Sequence, residues 1–106
     1  MRRLVLAAFI LVTLAGPAVA GESVRVGMDK MLFMPRTLTI KPGTTVEWVN
    51  DEKRTSHSVL FEKEGLPESD RLFPGESWKR TFDKSGVYPY RCGPHPEMTG
   101  VIEVTK

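Results

Sequence analysis

After residue 20 the chain is broken by turn signals at short intervals, and the runs between them suit strands rather than helices. Lys41-Pro42-Gly43, Phe73-Pro74-Gly75 and Lys84-Ser85-Gly86 are turn punctuation. Around them lie Ser23 to Met28, Thr37 to Ile40, Thr45 to Val49, His57 to Phe61, Trp78 to Phe82, Val87 to Cys92 and Val101 to Val104. These runs are rich in β-branched and aromatic residues. Val24 with Val26, and Leu38 with Ile40, alternate with polar neighbours, and no segment carries a helical period. Roughly seven or eight short strands at this spacing predict an all-β sandwich or barrel. Glu62 to Leu72 carries no strand signal and is expected to form a short helix or an irregular loop. Pro89 has no N–H, so its nitrogen should face a sheet edge or the start of a ladder.

The length of 106 residues allows one domain, and 41% hydrophobic residues with a net charge of +2 argue against disorder. A single cysteine excludes a disulfide framework. Residues 1–20 read as a secretory signal peptide: Arg2-Arg3, an apolar run from Leu4 to Leu14, Gly16-Pro17, and the A-x-A pattern Ala18-Val19-Ala20. The remaining 21–106 would be the functional domain, exported to the periplasm. The apolar run is short for a membrane span and is interrupted, so no stable membrane association is expected after cleavage. Removing residues 1–20 takes away two arginines, leaving 15 − 2 = 13 basic against 13 acidic residues. No basic cluster suits nucleic acid. A domain this small buries only about 60–65% of its unfolded surface, so a bound metal would help hold it together.

Cys92, His95 and Met98 stand in one short segment with the spacing C-x2-H-x2-M, and His57 lies upstream at the start of a predicted strand. A thiolate, two imidazoles and a thioether form a soft donor set that suits copper in either oxidation state. Zinc more often recruits a second cysteine or a carboxylate. Pro94 and Pro96 flank His95 and restrict the loop to few backbone states. A stiff loop holds its donors as the metal changes charge, which favours electron transfer. Four protein donors leave no open position for a substrate, so no enzyme is expected. With two histidines and one cysteine, neither a second catalytic copper nor a binuclear site can be built. Met28, Met31 and Met34 could collect Cu(I), but a three-residue step puts alternate members on opposite strand faces, so packing is expected instead.

The pattern Gly86-x-Tyr88-x-Tyr90-x-Cys92-x-Pro94-His95, with Met98 following and His57 upstream, resembles the small blue copper proteins, or cupredoxins. Phe33-x-Pro35, Ile40-Lys41-Pro42-Gly43 and Val46-x-Trp48-x-Asn50 resemble the front half of the same domain, so the likeness spans nearly all of 24–105. The short C-x2-H-x2-M loop is similar to that of amicyanin; plastocyanin and pseudoazurin have a longer step from His to Met. The resemblance implies a Greek-key β-sandwich, one type 1 copper ion and one-electron shuttling between larger redox proteins. It implies that His57, Cys92 and His95 form the short ligand set and Met98 the weak axial ligand. His95 would expose its ring edge as the electron's route and the docking point for partners, and the chain is expected to act as a monomer. Tyr88 and Tyr90 would share the inward phase of Cys92.

Three positions depart from the family pattern. Many members place an Asn after the first His ligand, bonded across to a Ser or Thr after the Cys; here Ser58 and Gly93 stand there. The tie between the two ligand segments should be weakened or replaced. Glu97 stands where amicyanin is aromatic, which would alter partner choice. Those departures and the methionines keep a rival reading open, a periplasmic protein that stores or delivers copper. Trp48 and Trp78 are expected in the core. Asp51-Glu52-Lys53-Arg54 reads as a solvated loop, and Glu62, Glu64, Glu68 and Asp70 as ordinary surface.

Overall fold

In the computed structural model, which describes residues 21–106, the alternation read from the sequence becomes two facing sheets. The signal-peptide reading of 1–20 lies outside the described residues. Strand β1 (Ser23–Asp29) turns Val26 and Met28 inward. A short β2 (Leu32–Met34) turns in Phe33, and β3 (Thr37–Ile40) turns in Ile40. Strand β4 (Thr44–Asn50) buries every second residue: Thr44, Val46, Trp48 and Asn50. Strands β5 (Ser77–Phe82), β6 (Gly86–Arg91) and β7 (Thr99–Val104) complete the set.

One sheet has the order β2-β1-β4-β5 and the other β3-β7-β6. The pairs β1–β4 and β3–β7 run parallel, with Val26 beside Trp48 and Ile40 beside Val104. Parallel neighbours cannot be joined by a tight hairpin. The chain therefore crosses between the sheets after β2, β3 and β5, which makes a Greek-key sandwich. Pro89 lies on β6, an edge strand, as its missing N–H requires.

Trp48 sits at the centre with no exposure. The rings of Trp78 and Tyr90 lie 5.4 Å away, Phe61 5.9 Å and Phe82 6.4 Å. Trp78, on the edge strand β5, is only half-buried and packs against this cluster from its rim. Arg80 closes the same rim: its guanidinium stands 4.4 Å from the ring centres of both Phe61 and Phe82. Two 2.8 Å bonds to Glu64 fix it there. Burial raises the Tyr90 pKa above its usual value, opposed in part by the neighbouring Trp48.

Gly100 on β7 is a space requirement. A Cβ there would overlap the Tyr90 ring across the β6–β7 ladder. Gly100→Ala should lower stability by about 1–3 kcal/mol through overpacking, read as a lower urea midpoint. An unchanged midpoint would show that the Tyr90 ring can move aside.

Three local features add to what the sequence led one to expect. First, His57 to Phe61 is not a continuous strand: only isolated bridges form, His57 with Leu72 and Leu60 with Arg91. The reason lies in where its N–H groups go. Ser58 gives its N–H to the Cys92 sulfur and Val59 gives its N–H to the Ser69 hydroxyl, so the ladder is interrupted. Second, β2 carried no hairpin signal, because the two-residue turn before it is Lys30-Met31 rather than an Asn-Gly type. Both residues are left-handed, with φ of 53° and 61°. Their N–H groups go to the carboxylates of Asp29 and Glu52, which help hold the strained turn. Third, Glu62 to Leu72 holds one short 3₁₀ turn, Glu62–Glu64, and is otherwise irregular apart from the Leu72 bridge.

Candidate metal centre

The C-x2-H-x2-M loop begins one residue after β6 ends. It is closed by its own backbone: Met98 N–H donates to the His95 carbonyl at 2.9 Å, and Cys92 N–H to the Met98 carbonyl at 2.9 Å. These two bonds fold Met98 back under the loop, where it is buried at 3% exposure. Arg91 clamps the loop from the other side. Its Nη1 donates to the carbonyls of Cys92 and Gly93, both at 3.0 Å, while its Nε donates to Glu62. Glu62 is held below the usual carboxylate pKa by the Arg91 guanidinium.

His57 comes from the other sheet's side of the molecule, and Asn50 brings it in. Asn50 is fully buried at the end of β4. Its Nδ2 donates to the carbonyls of Thr55 and Leu72, and its Oδ1 accepts the N–H of Glu52. Those bonds fold the loop from 50 to 57 and point His57 toward the Cys92 loop.

Three donor atoms then converge. His57 Nδ1 is 3.2 Å from His95 Nδ1 and 3.6 Å from Cys92 Sγ, and His95 Nδ1 is 3.5 Å from Cys92 Sγ. The edges average 3.4 Å, so one point lies about 2.0 Å from each donor (3.4 Å over √3), the length of a metal–imidazole bond. Glu52 sets the tautomer that this requires. Its carboxylate stands 3.1 Å from His57 Nε2 and takes that N–H, which leaves Nδ1 as a lone pair facing inward. Glu52 has a lowered pKa, chiefly from the Met31 N–H and then from His57. His57 and Cys92 have no exposure, whereas His95 is half-buried and reaches the surface.

All four residues singled out in the sequence fall at this end of the sandwich: His57, Cys92 and His95 meet directly, and Met98 closes the loop beneath them. The methionine trio does not gather. Met28 is buried in the core, while Met31 and Met34 are 41% and 48% exposed. Two residues were missed. Glu52 read as part of a solvated loop but turns inward to His57. Glu68 read as ordinary surface but accepts the buried Ser58 hydroxyl at 2.5 Å. Glu52 has a faint sequence signal, standing two residues after the turn-forming Asn50. Glu68 has none.

A family model described as copper binding proteins, plastocyanin/azurin family, matches residues 20–105. The chain belongs to this family. It is similar to an amicyanin of Paracoccus versutus, 36% identical over 94 residues, covering 85% of this chain and 70% of that protein. It is equally similar to a plastocyanin of Scenedesmus fuscus, 36% identical over 96 residues, covering 77% of this chain and 97% of that one. A solved structure of a reduced Cu(I) form of an amicyanin variant superposes with a TM-score of 0.74 at 31% identity, over 82% of this chain and 86% of that chain. This cupredoxin is thus one of a family of type 1 copper electron carriers rather than enzymes. Its soft donors fit copper, as the family requires.

Proposed function

We propose that this cupredoxin carries single electrons between larger redox proteins in the periplasm, on one type 1 copper ion. His57, Cys92 and His95 would hold the ion, with Met98 as the weak axial donor. The observation that carries this reading is the convergence of two imidazole nitrogens and a thiol sulfur on one point, with the His57 ring held from behind by Glu52. The ion supplies the Cu(I)/Cu(II) couple. The protein would keep water away from the ion, since His57, Cys92 and Met98 are 0%, 0% and 3% exposed.

His95 is the donor that reaches solvent, so a partner would dock over it. Exposed Glu97 stands two residues from His95 on the same loop and would favour a partner with a basic rim. Among the described residues, no helix is long and apolar enough to cross a membrane. The leader-like composition of residues 1–20 supports export.

The test is one equivalent of Cu(II) added to the purified protein, followed by visible and electron paramagnetic spectra. An intense thiolate-to-copper band in the red with narrow copper hyperfine splitting is expected. Ordinary tetragonal copper features, or reduction to Cu(I) with oxidation of Cys92, would move the reading to copper delivery.

Glu52→Gln offers a check on how the site is supported. It should weaken copper binding by about 10–100-fold, because an amide is a poorer acceptor for the His57 Nε2–H than a carboxylate. Competition with a moderate chelator measures it. Unchanged retention would mean that the His57 ring is held by packing alone.

A further inference from the structure

We infer that Glu68 is a positioning residue for the copper loop, acting through Ser58 and Gly93 in place of the family's tie between side chains. This rests on the copper reading above. Ser58 is fully buried and follows His57 directly. Its N–H points at the Cys92 sulfur, 3.4 Å away. Its hydroxyl does two jobs. As a donor it reaches Glu68 Oε2 at 2.5 Å, and as an acceptor it takes the Gly93 N–H at 2.9 Å. A hydroxyl has only one proton, so the carboxylate decides which way it points. With the proton committed to Glu68, a lone pair is left for Gly93 N–H. One carboxylate thus locks the segment of His57 to the segment of Cys92.

Glu68 is delivered to this place by its own neighbours. Ser69 N–H donates to the Val59 carbonyl, and Ser69 Oγ accepts the Val59 N–H at 2.9 Å. The loop carrying Glu68 is therefore docked along the segment it serves.

The glycine at 93 is the second observation. A Cβ on Gly93 would collide with Glu68 Oε2 and would come within 2.7 Å of Ser58 Oγ. Glu68 fills from outside the space that a side chain at position 93 would fill from within. A glycine at 93 and a carboxylate at 68 therefore fit one another, and the tie they make with Ser58 is anionic.

The experiment is a double-mutant cycle with copper retention against a chelator, reduction potential and hyperfine splitting as readouts, plus the urea midpoint of the metal-free protein. Glu68→Ala leaves the Ser58 hydroxyl without its acceptor and should weaken copper retention about 10–100-fold. Gly93→Ser alone should also weaken it, through collision with Glu68. The double variant Glu68→Ala with Gly93→Ser should lose less than the two single losses combined, because the new hydroxyl occupies the vacated space, while its Cβ still crowds Ser58 Oγ at 2.7 Å. Glu68→Gln keeps an acceptor and should retain copper, but with a raised potential, since a negative charge near the centre favours Cu(II). The double variant should keep that raised potential. A residue with a merely structural role would lower the metal-free urea midpoint of Glu68→Ala and leave the hyperfine splitting of its copper form unmoved.

Additive losses in the double variant, with a type 1 spectrum intact in the parent, would overturn the inference and leave the copper reading standing. A parent protein without a type 1 spectrum would overturn the copper reading, and the inference with it if positions 68 and 93 are also uncoupled in the metal-free protein. Coupling between positions 68 and 93 in the metal-free urea midpoints would then show that only the metal reading had failed.

Discussion

Replacing Cys92 by alanine should abolish the intense red-region absorption of the copper-loaded protein and leave its β-sheet circular dichroism in place. The colour depends on charge transfer from a thiolate, and Cys92 is the one cysteine in the chain. Its sulfur is fully buried between two imidazole nitrogens at 3.5 and 3.6 Å. The fold asks much less of it. The loop is closed through the backbone N–H of Cys92 and the carbonyl of Met98, which alanine retains. Arg91 bonds the carbonyls of Cys92 and Gly93, which also remain. Losing one small buried side chain costs about 1–2 kcal/mol against a total of about 5–15. Visible and electron paramagnetic spectra check the first part, and far-ultraviolet circular dichroism checks the second. A variant still intensely coloured would refute the assignment of Cys92. A metal-free variant with a random-coil spectrum would mean that metal binding is coupled to folding.

The largest effect on the fold itself is expected at Trp48. Trp48→Ala should cost about 3–5 kcal/mol and lower the melting temperature by about 15–30 °C. Trp48 is unexposed and lies against Phe61, Trp78, Phe82 and Tyr90, so its loss opens a cavity that neighbours from both sheets cannot close together. The damage should reach the metal centre too. Trp48 packs on Tyr90, two residues before Cys92, and stands two residues before Asn50, which folds the loop carrying His57. Calorimetry on the metal-free protein is the direct measurement. A shift of only a few degrees would show that Phe61 and Tyr90 collapse into the space.

What was legible in the sequence was whatever depends on neighbours along the chain. Alternation is a period-two property of each strand, so β1, β3, β4 and β7 could be placed to within a residue or two. The loop donors were legible for the same reason, since Cys92, His95 and Met98 lie within one short segment stiffened by two prolines. His57 could be joined to them by donor chemistry and family likeness rather than by spacing, because it stands 35 residues from Cys92. The continuous strand expected over His57 to Phe61 failed for a physical reason: the N–H groups of Ser58 and Val59 serve a sulfur and a hydroxyl instead of a ladder.

By itself the sequence determined an all-β domain, its turns, its core tryptophan and a soft donor set suited to copper, because each follows from local spacing and side-chain chemistry. The tertiary structure alone decided what stands behind the donors. Glu52 and Glu68 look like any surface acids in the chain, and one orients His57 while the other locks Ser58 to Gly93. A hydrogen bond depends on distance in space, and these distances exist only after two sheets have packed and the loops from 50 to 57 and 62 to 72 have folded over their end.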